Sequence, residues 1–146
     1  GIGNMALFSS ILIVLFLVWI HVGHLLHLFF PAGGLMSDRL DLVFFFGIGS
    51  AVGAVFALIT FCISAFSLPM IMDRHTDLVT GIVTSINAVL RNRKVMLLWA
   101  ATIMGGMLFS VLTGLLGLVV IFPIIGHATW HAYQETVDAS DWPQRT

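Results

Sequence analysis

From Leu42 to Met72, and again from Val95 to Gly126, the chain places no formally charged side chain, and the opening stretch from Met5 to Phe30 is equally free of them. A charge at mid-bilayer costs about 3 kcal/mol or more, so uncharged apolar runs of this length call for hydrocarbon as the solvent. At a rise of about 1.5 Å per residue, crossing a core of about 30 Å takes about twenty residues. The first stretch therefore predicts one tilted transmembrane helix over 5–30, ended by Pro31 and the Gly33-Gly34 pair. The second runs over 42–68, where Pro69 disfavours helix in the residue before it and Asp73-Arg74-His75 returns the chain to water. As a single helix, the stretch from Val95 to Val137 would be about 60 Å long, twice the hydrocarbon thickness, so it must fold back. Thr113-Gly114 and Gly117 mark the reversal and divide it into spans over 95–112 and 116–136.

Between the second and third spans, Leu78, Val79, Ile82, Val83, Ile86, Val89 and Leu90 recur at helical spacing, opposite Asp77, Thr80, Thr84, Asn87 and Arg91. This pattern predicts an amphipathic helix over 76–91, too short and too polar to span, with Thr76 and Asp77 suited to its N-terminus. It is expected to lie in the membrane surface with its apolar stripe down, the alternative being a partner protein under that stripe. The predicted fold class is all-α, an integral membrane helical bundle of four transmembrane helices plus one amphipathic interfacial helix, forming a single membrane domain over 1–146.

Composition agrees with the pattern. Hydrophobic residues make up 59% and charged residues 9%, with a mean hydropathy of +1.06, outside the range of soluble domains. A net charge of −1 with six Lys and Arg leaves little to neutralise phosphates, which argues against nucleic acid as a partner. Cys62, the single cysteine, has no internal disulfide partner and lies in an apolar run, where a thiol behaves as a small hydrophobe. The chain opens Gly-Ile-Gly-Asn without a basic n-region, and its first apolar segment is too long for a signal-peptide core.

Arg74, Arg91, Arg93 and Lys94 fall between spans two and three, against Arg39 alone in the first loop, so the longer loop is expected to be cytoplasmic. Arg91, Arg93 and Lys94 are placed to meet lipid head groups. An even number of spans then puts the start of the chain and the acidic tail from Glu135 to Thr146 on that same side, with Asp38-Arg39-Leu40-Asp41 outside. Trp99, Trp130 and Tyr133 suit an aromatic belt at the inner interface.

Two rows of small residues predict close helix packing: Gly49, Gly53 and Ala57 in span two, and Gly106, Ser110 and Gly114 from span three. In lipid such faces take over from the hydrophobic effect as the force between helices, within one chain or between subunits. The histidines are the chemically suggestive set. His21, His24 and His27 stand three apart near the outer end of span one, and His127 and His131 form an i, i+4 pair toward the inner end of span four. His24, His27, His127 and His131 are the candidate cofactor-binding residues, for haem or a pigment, though no cofactor is favoured. A haem held from both helices is opposed by depth, since His21 lies about 25 Å along its helix from the inner face and His127 about 13 Å. A metal on one helix would find two imidazoles and no third ligand within a turn, although Glu135 lies one turn beyond His131, so no metal site is expected. The blander role for these rings is hydrogen bonding to backbone or head groups. No Asp, Glu, Lys or Arg lies inside the first three spans, which tells against an ion-coupled carrier, and no phosphate loop or nucleophile motif supports a hydrolase or kinase. Catalytic residues are not expected.

Four segments carry a resemblance: Ser67-Leu68-Pro69-Met70-Ile71-Met72-Asp73-Arg74; Val83-Thr84-Ser85 with Ala88-Val89-Leu90; Met96-Leu97-Leu98-Trp99; and Pro123-Ile124-Ile125-Gly126-His127-Ala128-Thr129-Trp130-His131-Ala132-Tyr133. Through them most of the chain resembles a family of predicted integral membrane proteins of proteobacteria, a domain of unknown function sometimes labelled as related to cytochrome c oxidase. The resemblance implies that this is the C-terminal portion of the family pattern, with further N-terminal sequence before Gly1. It makes His127 and His131 motif positions and brings no activity with it.

These readings converge on a non-catalytic accessory or structural subunit of a bacterial inner-membrane complex serving respiratory or photosynthetic electron transport. Its expected partners are membrane lipids and a larger membrane protein complex, with the chain multi-pass and its C-terminus cytoplasmic. The alternatives are a haem- or metal-binding electron-transfer membrane protein using the clustered histidines and, third, a small solute carrier or channel.

Overall fold

The structure, a computed structural model, describes residues 2–29 and 39–144, apart from the side chain of Asp41. The expected end of span one at Phe30, Pro31 and Gly33-Gly34, and Asp38 of the outer loop, lie outside the described residues. The described residues form six helices: α1 (Ile2–Phe29), α2 (Arg39–Ser64), α3 (Ser67–Asp73), α4 (Leu78–Arg91), α5 (Arg93–Leu112) and α6 (Gly117–Thr136). Among them there is no strand, only an isolated bridge between Arg74 and Gln144. They divide into two compact units, residues 6–60 in one and the described residues up to 5 and from 61 onward in the other.

The long apolar run after Arg39 does not stop at Leu68. Helix α2 ends at Ser64, and α3 carries Leu68 and Pro69 within it. Pro69 is the third residue of α3, where a missing N–H leaves no intrahelical bond unmade, so proline is tolerated there. The break between the two helices has another cause. In a continuous helix the Phe66 N–H would bond to the Cys62 carbonyl; instead the Ser85 hydroxyl accepts from Phe66 N at 3.0 Å and donates to Cys62 O at 2.8 Å. A side chain inserted into the backbone ladder interrupts the helix while leaving both backbone groups satisfied. Beside it, the Ser67 hydroxyl lies against the carbonyls of Ile63 and, at 3.2 Å, Gly81. Ser67 and Ser85 are both fully buried.

Helix α4 begins as its sequence predicts, with Asp77 as cap: its carboxylate accepts from Thr80 N at 3.0 Å and from the Thr80 hydroxyl at 2.6 Å. The face it buries is not centred on its large apolar residues. Gly81, Ser85, Ala88 and Val89 are buried, whereas Val79, Val83 and Leu90 are exposed. A Cβ on Gly81 would come within 3.2 Å of Ile71 Cγ1, so the small residues are what let α4 approach α3. Asn92 ends α4 by bonding back to the Ala88 carbonyl, and α5 starts at the next residue.

The reversal after α5 falls where Thr113, Gly114 and Gly117 predict it. Gly114 adopts φ +64, its N–H bonds to Val111 O at 3.1 Å, and the Leu115 N–H reaches Ser110 O at 2.7 Å, the paired closure of a Schellman cap. Gly117 then packs α6 onto α5: a Cβ there would lie 2.8 Å from Ser110 Cα and 2.9 Å from the Thr113 hydroxyl oxygen, and one on Gly106 would lie 2.9 Å from Ile121 Cγ2.

At the other end of this hairpin, Phe66, Met70, Val89, Met96, Tyr133 and Val137 form the buried core, with Trp99, Trp130 and Trp142 packed against it. Tyr133 is therefore not a belt residue facing the interface. Its ring is buried and its hydroxyl donates to Asp73 at 3.0 Å.

Three helical stretches are long and apolar enough to cross a membrane: Ile2–Phe29, Leu42–Asp73, which takes in α2 from Leu42 onward and all of α3, and Arg93–Leu112. Helix α6 is of span length but is not among them, its second half being crowded with His127, Thr129, His131, Gln134 and Glu135.

Ser85→Ala, which strands the Phe66 N–H and the Cys62 carbonyl, is expected to reduce stability by about 1–3 kcal/mol, read as a lower thermal midpoint in detergent. Gly117→Ala is expected to destabilise by a similar amount, about 1–3 kcal/mol, through overpacking, while Gly49→Ala, where a Cβ meets nothing within 4 Å among the described residues, leaves the midpoint in place. The Thr80 hydrogen bonds hold the Asp77 carboxyl below its ordinary value of 3.8. The stabilisation this gives α4 is complete above that value and is lost as pH falls through the lowered folded-state value. Amide-exchange protection in the first turn of α4, corrected for intrinsic rates, should fall only in that acid range and should lose this dependence in Asp77→Asn.

Candidate functional site

Helix α1 presents two of the candidate histidines to α2. His24 and His27, three residues apart, lie near the same face and line a cleft of about 390 Å³ with Trp19, Gly23, Phe45 and Gly49. The His24 Nδ1–H donates to the Ile20 carbonyl at 2.9 Å, one turn back on its own helix. His27 rests against Phe45 with ring centroids 5.0 Å apart. The small-residue row of α2 faces this space: Gly49 lines the cleft, and a Cβ on Gly53 would meet only the Trp19 indole nitrogen, at 3.8 Å. The Trp19 indole thus stands where close helix contact would otherwise form, and the cleft is walled by apolar and aromatic groups with two imidazoles at its edge. His21 is exposed and is not part of the cleft lining.

The second pair is on α6. His127 and His131 are exposed, their Nε2 atoms are 3.2 Å apart, and their rings meet edge to face with centroids 4.7 Å apart. They share an open groove with Pro123, Ile124, Ala128, Ala132 and Glu135. His24 and His27 belong to one compact unit and His127 and His131 to the other. Among the described residues no three of His, Cys, Asp or Glu converge as a metal-binding group.

Arg91, Arg93 and Lys94 are exposed around the one-residue bend at Asn92. Beside Arg91, a cleft of about 290 Å³ opens between α4 and the tail, lined by Thr84, Asn87, Thr136, Asp138 and Trp142. Of the packing residues, Gly106 and Ser110 meet α6 within the chain, and Gly114 serves the turn. Ala57 is exposed.

A polar network escaped the sequence reading. Asp73 accepts from Arg74 Nε at 2.9 Å and from the Tyr133 hydroxyl, and Arg74 Nη1 donates to Trp142 O at 2.9 Å. The His75 N–H donates to Pro143 O at 2.9 Å, so the tail from Val137 is tied to the segment after α3. Asp73 and Arg74 are adjacent in the sequence, but Tyr133 lies sixty residues beyond Asp73 and nothing in that spacing reveals that they meet.

Residues 2–73 match the family described as "Predicted integral membrane protein (DUF2189)". That stretch holds α1, α2 and α3, and the Gly126–His131 segment lies beyond it. No curated protein and no solved structure matches the chain. The family match and the long apolar helices make this a multi-pass helical membrane protein.

Tyr133→Phe removes one bond to Asp73 and is expected to loosen the tail at a stability loss of about 1 kcal/mol. Limited proteolysis should cut within residues 137–144 faster in this variant than in the parent; equal rates would show that the Arg74 and His75 bonds hold the tail alone.

Proposed function

We propose that the chain is a non-catalytic accessory subunit of a bacterial inner-membrane complex, contributing helical surface rather than chemistry. The observation that carries this reading is the open cleft between α1 and α2. Small-residue rows drive helix association in lipid, and the row of α5 is occupied by α6 of the same chain, whereas Gly49 opens on a cleft that α1 does not fill. No residue in the most apolar stretch of α2 is buried. A helix from another subunit would find there a groove flanked by Trp19 and Phe45. The link to electron transport rests on the label of the family that the chain resembles.

The same reading holds four spans, with both chain ends cytoplasmic. Asn4 Nδ2 donates to Thr76 O at 3.0 Å, and the tail bonds to Arg74 and His75, so both termini meet the segment that the positive-inside rule assigns to the cytoplasm. Such contacts support an even number of crossings. The exposed Val79, Val83 and Leu90 of α4, followed by Arg91, Arg93 and Lys94, suit a helix lying in the head-group region with its cations at the lipid phosphates.

Isolation from native membranes in mild detergent should bring down a stable set of membrane proteins, and Gly49→Leu should lose them while the chain itself remains folded. Recovery of the chain alone, repeatedly, would overturn the accessory role. For sidedness, a cysteine at Ser140 in a Cys62→Ala background should resist a membrane-impermeant maleimide in intact spheroplasts and react in inverted vesicles; ready labelling in spheroplasts would refute the topology.

A further inference from the structure

We propose that His127 and His131 form a bidentate site for a divalent first-row transition ion, Cu²⁺ or Zn²⁺, on the exposed face of α6. Residues four apart on a helix lie one above the other, but that spacing alone leaves the ring nitrogens free to point apart. Here they converge, with Nε2 to Nε2 at 3.2 Å. For metal–nitrogen bonds of about 2.0–2.1 Å at a tetrahedral angle, two ligating nitrogens stand about 3.3 Å apart. The separation already present is that of a chelate.

The same distance is that of an N–H···N hydrogen bond, so in the absence of an ion one neutral imidazole donates to the other. Binding replaces the bridging proton with the metal. The donor ring shifts its proton from Nε2 to Nδ1, both Nε2 lone pairs then face the ion, and no proton leaves the neutral pair. The rings need only tilt, so that both lone pairs leave the N–N line and meet on the ion.

The surroundings favour a cation that stays partly open to its neighbours. Ala128 and Ala132 line the same groove, leaving the remaining coordination positions to a donor from another molecule. Glu135, one turn beyond His131, lines the groove as well and supplies a negative charge outside the two-ligand chelate. Imidazole nitrogen suits copper and zinc and discriminates against magnesium and calcium. The pair on α1 differs, because His24 spends Nδ1 on the Ile20 carbonyl and His27 is set against Phe45.

The test uses the full chain in detergent, purified on a tag without histidine and stripped by a chelator. Titration with Cu²⁺ alone, followed by calorimetry and electron paramagnetic resonance, should give one ion per chain with hyperfine coupling to two imidazole nitrogens, displaced by excess Zn²⁺. His127→Ala and His131→Ala should each weaken binding about tenfold or more, a lost ligand costing at least what a lost outer-shell partner does, and His24→Ala should leave it unchanged. A double variant, His131→Ala with Gln134→His, keeps two imidazoles on one face about 10 Å apart along the axis and should bind no better than His131→Ala. Absence of saturable binding, binding indifferent to both alanine variants, or full affinity in the double variant would overturn the proposal.

Discussion

A backbone N–H or C=O removed from water must find a partner, and at the end of α2 that requirement is met by one side chain from another helix. The Ser85 hydroxyl stands in the gap between Phe66 N and Cys62 O, accepting from one and donating to the other. Leaving either group unmatched costs about 1–3 kcal/mol, so the helix break and the position of α4 are held together. Without the hydroxyl both backbone groups would be left unmatched at the break before Ser67. Because α3 and α4 are set in this way, Met70 and Val89 reach the core where Tyr133 and Val137 arrive from α6 and the tail.

Small residues serve two different ends in this chain. On α5 and α6 they are filled from within: Gly106 against Ile121 and Gly117 against Ser110, at separations where an added methyl group would force its neighbours to shift. On α4, Gly81 admits Ile71. On α2 the equivalent row meets the edge of the Trp19 indole and a cleft. Lipid tails are as apolar as the side chains they touch, so apolarity alone gives a helix no reason to prefer a partner; shape does. A filled row closes a hairpin, whereas the row on α2 opens on a cleft.

The histidines show why spacing is a weak guide to chemistry. Both groups look alike in sequence, rings three or four residues apart in an apolar setting. The structure separates them by what each nitrogen faces. On α1 one ring turns to its own backbone and the next to an aromatic neighbour, while on α6 two nitrogens meet at 3.2 Å. Side-chain rotamers make that difference, and they answer to neighbours that the local sequence does not contain.

Hydropathy and charge spacing were enough to determine the helical class, the membrane as solvent, the cap at Asp77 and the reversal at Thr113–Gly117, because each follows from residues within a turn or two of one another. Pro69 misled for the same reason: locally it reads as a stop, and only its place in the first turn of a new helix makes it harmless. What the tertiary structure alone decided was every feature needing partners far along the chain. The break at Phe66 depends on Ser85, the burial of Tyr133 depends on Asp73, and the face α4 buries is chosen by Ile71 rather than by its own large apolar residues. Local composition states what a segment prefers to avoid, water in this case; which groups it meets instead is set by closure of hydrogen bonds and fit of volumes across the fold.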